Sequence, residues 1–207
     1  MYRYFIKRLL DVILALILLP IVLVIIIPVS IAIKIEDGGP VFYNGPRLGK
    51  NMKQFTMYKL RSMKVNAPDI RNEDGTTFNS SDDPRVTKVG KFIRKTSIDE
   101  LPQIFNVLKG EMSFIGPRPS PLGDKSIYPK EFFKKFDVLP GITGYNQALL
   151  RNNATMEERI ANDRYYVDNI SFRLDIKILF MTIGNVVFSK NIYRNESINE
   201  EGLKISE

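Results

Sequence analysis

The stretch Val12–Ile33, "VILALILLPIVLVIIIPVSIAI", decides how the rest of the chain is read, because it runs for twenty-two residues without a charge and holds two prolines. As a straight helix it would rise about 33 Å, enough to cross a hydrocarbon core of about 30 Å. A buried core helix needs no such length. A secretory signal peptide has a shorter apolar region and a small-residue cleavage site, for which "VSIA" is a poor match. Pro20 and Pro28 each remove a helical N–H and crowd the carbonyl four residues earlier, so a kink or break is expected. Basic residues flank both ends: Arg3, Lys7 and Arg8 before, then Lys34, Arg47, Lys50 and Lys53 after. The positive-inside rule assigns both ends to the cytoplasm. A re-entrant helix-break-helix that dips into one leaflet and returns meets both conditions, with a tilted, proline-kinked span as the alternative.

The whole chain has 207 residues, enough for one domain with a core and an accessory segment. It contains no Cys and no His, which removes disulfides, a thiolate nucleophile and the usual ligands of structural zinc. Carboxylates, hydroxyls, amines and oxygen-bound metals such as magnesium are left to carry any chemistry. Thirty Lys and Arg against 23 Asp and Glu leave a net charge of +7, which favours phosphates, nucleic acid or an anionic membrane.

The expected class is α+β and mainly helical, with three parts: a membrane-embedded segment 1–36, a compact domain 37–190 and a polar tail 191–207. "VFYNGPRLGKNMKQFTMYKLRSM" (41–63) reads as a small β-hairpin, with β-branched and aromatic clusters on either side of a Gly/Asn/Pro stretch. Residues 66–83 are polar and rich in turn formers, and form the longest loop candidate. In "PRVTKVGKFIRKT", Lys91, Arg94 and Lys95 share a helical face. "PKEFFKKF" (129–136) sets Phe132, Phe133 and Phe136 beside Lys130, Lys134 and Lys135, a pattern suited to an interfacial amphipathic helix. "LDIKILFMTIGNVVF" (174–188) reads as a core or interfacial helix.

"TSIDELPQIFNVLKGEMSFIGPRP" (96–119) gathers the remaining chemistry. Ser97 to Glu100 has the S-x-x-E form of a capping box, so a helix is expected to start at Ser97 with Asp99 and Glu100 in its first turn, and to end at Gly110. Acidic residues there offset the helix dipole in many proteins. Here Arg94 and Lys95 precede the pair, and Arg118 follows it in a proline-restricted "GPRP". Cations on both sides of a carboxylate pair suit phosphoryl transfer from a diphosphate to an aspartate, since an anionic nucleophile reaches phosphorus only where the oxygens are neutralised.

On "KRLLDVILAL", "GGPVFY", "FTMYKLRSM", "DPRVTKVGKFIRKTSIDELPQIFNVLKGEMSFIGPRP", "PGITG" and "DRYYVDNISFRLDIKIL", the chain resembles the monotopic phosphoglycosyl transferases, the bacterial sugar transferase family. The resemblance implies transfer of a sugar 1-phosphate from a UDP-sugar to polyprenyl (undecaprenyl) phosphate, giving a polyprenyl diphosphate sugar and UMP, as the first membrane step of glycan assembly. It implies Asp99 as covalent nucleophile, Glu100 as a Mg2+ ligand, Lys59, Arg94 and Arg118 as phosphate-binding residues, and Asp175 as a required acid. Gln147 and Arg151 align with sugar or nucleotide contacts. The implied setting is the bacterial inner membrane with the catalytic domain on its cytoplasmic face, the bilayer as a partner and a homodimer allowed. Two departures stand out: the family's membrane segment usually breaks at a Ser-Pro pair, where this chain has Leu23-Val24, and "PGITG" is followed by "YNQALLRN". Two other functions compete, a membrane-anchored nucleotide-sugar hydrolase and a non-catalytic basic membrane module. Nucleic acid is not expected, because the acidic pair would repel a polyphosphate chain.

Overall fold

The computed structural model describes residues 1–68, 70, 80, 83–123, 128–150 and 153–187. The expected tail 191–207, Arg151 and most of the loop 66–83 lie outside them. A π-helical turn, Tyr2–Ile6, leads into α1, Lys7–Asp37. There follow β1 (Gly45–Leu48), β2 (Gln54–Met57), α2 (Lys88–Lys95), a 3-10 helix Ile98–Gln103, α3 (Ile104–Lys109), β3 (Ser113–Ile115) and β4 (Ser120–Pro121). A second long 3-10 helix, Lys130–Asp137, precedes β5 (Gly141–Thr143), α4 (Tyr145–Leu149), α5 (Met156–Asp168) and α6 (Phe172–Val187). The mainly helical class with small sheets is as expected. A hairpin is present as expected, but its first strand is formed by the Gly/Pro stretch itself and not by the "VFY" cluster before it: β1 pairs antiparallel with β2, from Gly45↔Met57 to Leu48↔Gln54, and β4 adds to the other edge of β1. β3 and β5 form a separate parallel pair.

The break expected in the membrane segment is not found. α1 is one continuous helix of 31 residues with Pro20 and Pro28 inside it, and no residue before its cap, Gly38, takes a positive φ. In apolar surroundings an opened helix would strand its amides and carbonyls, which costs more than the one bond each proline removes. Packing also holds the helix along its length. Ala15, Val22, Ile26 and Ile33 are buried in one core with Leu60, Ile93, Ile104, Val107 and Met112.

Both ends of α1 are tied to the same body. Near its start, Arg8 donates to the carbonyls of Val107 (2.6 Å) and Leu108 (3.2 Å) in the last turn of α3, where the helix dipole favours a cation. Asp11, also buried, accepts the Phe114 amide at 3.1 Å. At the far end, Glu36 accepts the amides of Lys88 (2.6 Å) and Val89 (3.1 Å), the first two of α2. Asp37 pairs bidentately with Arg61, at 2.7 and 2.5 Å. The outward side of α1 is strongly apolar, with Leu16, Ile17, Ile21, Val24, Ile27 and Ile31 exposed. Among the described residues, Tyr2–Asp37 is the helical stretch long and apolar enough to cross a membrane.

The reading of "PKEFFKKF" as an interfacial helix is overturned. Phe132 and Phe136 are buried, and Lys135 is only 8% exposed and forms an ion pair with Asp163 of α5 at 2.9 Å. The aromatic face is turned into the domain because α5 supplies a partner for the lysine that would otherwise have needed water. An outward apolar face belongs to α6 instead: Phe172, Ile176, Phe180 and Ile183 are exposed at spacings of four, four and three, one side of a helix, while Asp175 and Ile178 face inward.

Candidate active site

The acidic pair sits in a 3-10 turn, not behind a capping box. Ser97 adopts left-handed backbone (φ 59°) and makes no side-chain cap bond, and Pro102 is accommodated within the tighter 3-10 helix Ile98–Gln103. The side chain of Glu100 cannot close a box because it is engaged elsewhere: its Oε1 lies 2.9 Å from Arg118 Nη2 and 3.5 Å from Lys59 Nζ. Asp99 and Glu100 do fall in the first turn, and Gly110 ends α3 in left-handed backbone (φ 81°), as the sequence predicts.

Asp99 is 3% exposed, and its Oδ2 lies 2.7 Å from Lys59 Nζ. Lys59 is placed by its backbone. Its carbonyl accepts the Tyr43 amide (2.8 Å), and the next amide, of Leu60, donates to the carbonyl of Asp99 (2.9 Å). Asn106, fully buried in α3, holds the same segment as a strand edge would: its Oδ1 accepts the Tyr58 amide (3.0 Å), and its Nδ2 donates to Thr56 O (2.7 Å) and to Glu111 (2.7 Å). The sequence reading missed Asn106. Its signal was a lone amide in the apolar run "IFNVL".

Arg118 is carried on a tightly clamped loop. Gly116 donates to Thr143 O (2.8 Å) and Gly141 to Pro117 O (2.9 Å), and a Cβ at Gly141 would lie 2.1 Å from Gly116 N. β3 before the loop and β4 after it fix both ends. The Arg118 side chain is half exposed, so part of its guanidinium is open to a ligand. The charge of Arg94, a half-buried residue of α2, favours the ionised form of both Asp99 and Asp83. Its Nη1 is buried and has no hydrogen-bond partner. A buried charged donor left unpaired costs at least 1–3 kcal/mol or so, and a phosphate oxygen beside Asp99 would satisfy it.

The two carboxyls are in different electrostatic states. Burial pushes Glu100 up, but Arg118 and Lys59 together outweigh burial and hold it at about 2. Burial pushes Asp99 up as well. There Lys59 opposes, the charge of Glu100 adds to the upward push, and the net direction is upward. Glu100 is thus a fixed anion, while Asp99 is a desolvated carboxyl group shifted towards its neutral form, with the Lys59 charge opposing that shift.

Asp175 is not brought to this group. It is buried in the first turn of α6 and takes Tyr2 Oη (2.6 Å), Lys7 Nζ (2.7 Å) and Tyr166 Oη (2.8 Å). These bonds pin the start of the membrane helix to α5 and α6. The Tyr166 hydroxyl also lies 3.0 Å from Ile115 O, the residue before the Arg118 loop. Gln147, in α4, has both amide atoms buried without partners. For metal, no group of three or more His, Cys, Asp or Glu suited to an ion occurs among the described residues. The adjacent carboxylates of Asp99 and Glu100 are hard oxygen donors, and they fit magnesium, which is commonly held by one or two carboxylates with substrate phosphates completing the shell.

The family model for bacterial sugar transferases matches residues 2–189. The uncharacterized sugar transferase EpsL of Bacillus subtilis is 40% identical over 196 residues, covering 95% of this chain and 94% of that protein. A protein of Aeromonas hydrophila named UDP-N-acetylgalactosamine-undecaprenyl-phosphate N-acetylgalactosaminephosphotransferase is 40% identical, covering 88% of this chain and 44% of its own length. The UDP-glucose:undecaprenyl-phosphate glucose-1-phosphate transferase of Escherichia coli is 37% identical, covering 91% and 41%. The chain thus spans nearly all of the first relative and about two fifths of the other two.

Proposed function

Since this chain belongs to the bacterial sugar transferase family, a family of transferase enzymes, we propose that it moves a sugar 1-phosphate from a UDP-sugar to polyprenyl phosphate, releasing UMP. The observation that carries this reading is the buried carboxylate of Asp99, 2.7 Å from Lys59 and next to a second carboxylate clamped by Arg118.

In this mechanism an Asp99 oxygen attacks the phosphorus that bears the sugar. The bond from that phosphorus to the bridging oxygen breaks, and UMP leaves with the electron pair. An oxygen of the lipid phosphate then attacks the same phosphorus and expels the Asp99 carboxylate, so one transfer becomes two displacements. Lys59 opposes the upward push of burial on Asp99 and is placed to turn from the carboxylate to the entering phosphate oxygens. Arg94 offers its unpaired Nη1 and Arg118 its exposed edge to the same oxygens, where fixed cations are most effective at stabilising developing charge. Glu100 would hold magnesium, with Asp99 adjacent; when bound, the ion would further neutralise the diphosphate. Asp175 keeps its place in this reading as a support for the elements around the site.

The membrane arrangement is part of the proposal. Arg8 and Asp11 at one end of α1, and Glu36 and Asp37 at the other, bind the same domain, while the outward apolar face of the helix needs lipid to cover it. These ties support an unbroken apolar helix embedded with both of its ends at one face of the membrane, and the basic flanks favour the cytoplasmic side of the inner membrane for that face.

The test is to incubate the purified protein with magnesium, undecaprenyl phosphate and in turn UDP-glucose, UDP-galactose and UDP-N-acetylgalactosamine, the donors in the names of relatives, and to measure UMP. Turnover that needs the lipid supports the transferase. Equal turnover without lipid identifies a hydrolase, and no UMP from any UDP-sugar rejects both.

A further inference from the structure

An apolar groove of about 450 Å³ runs between the membrane helix and α2, lined by Pro28, Val29 and Ala32 on one side and by Lys88, Val89, Phe92 and Ile93 on the other. We infer that this groove takes the first isoprene units of the acceptor lipid and so delivers its phosphate to Asp99. The inference rests on the proposed transfer to polyprenyl phosphate and names where that lipid lies.

Three observations point to this occupant. The first is the make-up of the walls. One is the apolar helix whose outward face already demands lipid, and the other carries Phe92, a phenylalanine 58% exposed on a helix otherwise rich in lysine. An apolar chain entering from the bilayer would cover both. The second is continuity with the site. Ile93 at the groove packs in the same core as Ile98 and Leu101, which flank Asp99 and Glu100 in the 3-10 helix. A lipid whose tail lay against Phe92 and Ile93 would therefore have its phosphate end available to the 3-10 helix that follows α2 and bears Asp99. Lys88 at the groove and Lys91 on the exposed side of the same helix add the positive potential an anionic headgroup would follow.

The third observation is that the groove is built to keep its width. Glu36, one turn beyond Ala32 on α1, accepts the first two amides of α2, and Thr87 caps the same helix by accepting the Gly90 amide at 2.9 Å. On its other side α2 is pressed against the chain at Gly90, where a Cβ would lie 2.0 Å from Ser62 O. α2 is thus held from its N-terminus and from behind, so it does not close onto α1 over the apolar gap.

A polyprenyl phosphate carrying a photoactivatable diazirine in its first isoprene units, added to the full chain in nanodiscs, tests the inference without any donor. The label should fall within residues 28–32 and 88–93. Unlabelled undecaprenyl phosphate should compete it away, and the same excess of phosphatidylglycerol should not. Ala32→Phe, which fills the groove, should raise KM for undecaprenyl phosphate at least tenfold, while Ile27→Phe, on the outward side of the same helix, should leave it within twofold. Label spread along Leu16, Ile17 and Ile21, or competed equally by phosphatidylglycerol, would overturn the inference and make the groove ordinary lipid-facing surface. If no UDP-sugar yields lipid-dependent UMP, the transferase reading itself fails. Normal turnover with the label elsewhere defeats only the groove.

Discussion

Arg118 Nη2 lies 2.9 Å from Glu100 Oε1, joining the loop between β3 and β4 to the 3-10 turn that bears Asp99. The pair does two things at once: it keeps Glu100 anionic and holds the half-exposed guanidinium next to the carboxylate pair. Arg118→Lys retains the charge but loses the planar fork. It should lower kcat/KM for UMP release by roughly 100-fold, the scale of removing one preorganised donor to developing charge, with little change in thermal unfolding. Parallel losses in activity and melting temperature would make Arg118 a structural residue only.

The same pair gives an acid-side prediction. Glu100 is held at about 2, below its ordinary 4.5, so in the folded state it binds its proton less readily than in the unfolded chain. Its contribution to stability is complete above about 4.5 and is lost as pH falls from there towards 2. In Arg118→Ala the largest opposing cation is gone, and the Glu100 titration should move upward, shrinking that loss. Denaturant unfolding at pH 6 and pH 3.5 checks it: the wild type should lose more stability between the two than the variant does.

Asp11 is the buried carboxylate that joins the membrane helix to β3 through the Phe114 amide. Asp11→Ala leaves that amide without its acceptor and should destabilise the detergent-solubilised protein by roughly 1–3 kcal/mol. Asp11→Asn keeps an acceptor and should lose less. Equal melting temperatures for all three proteins would show that the contact contributes nothing.

The two ends of α1 can be located directly because the chain has no cysteine. Cysteines introduced at Tyr2 and at Gly38 should both react with an impermeant thiol reagent from the same face of the membrane. Reaction from opposite faces would make α1 a span, against the ties of Arg8, Asp11, Glu36 and Asp37 to one domain.

Much of this was legible in the sequence where a feature depends on local chemistry. The existence of a hairpin, the stop at Gly110 and the place of Asp99 and Glu100 in a first turn follow from turn residues and spacing, and the structure has all three, though β1 forms from the Gly/Pro stretch read as the turn. What misled were residues whose partners are distant in the chain. Glu100 fits a capping box until Arg118, 18 positions on, claims it. "PKEFFKKF" looks interfacial until Asp163 meets Lys135. Pro20 and Pro28 suggest a break that packing along Ala15, Val22, Ile26 and Ile33 overrides. Asp11 and Asn106 drew no notice, since a single polar residue in an apolar run has no local pattern; each becomes meaningful only against the amide it accepts, Phe114 or Tyr58.

The proposed transfer depends on Asp99 as the nucleophile, and one measurement reaches it directly. The wild type is mixed with a UDP-sugar labelled in the sugar and in the phosphate next to it, with magnesium and without lipid, and bound label is mapped by peptide mass. The prediction is a sugar phosphate covalently held on the peptide containing Asp99, released when undecaprenyl phosphate is added, and absent from Asp99→Asn, which changes the charge with almost no change in volume. If Asp99→Asn turns over at a near-normal rate, or acquires label as readily as the wild type, the carboxylate is only a first-turn anion offsetting the helix dipole, and the proposed mechanism is wrong.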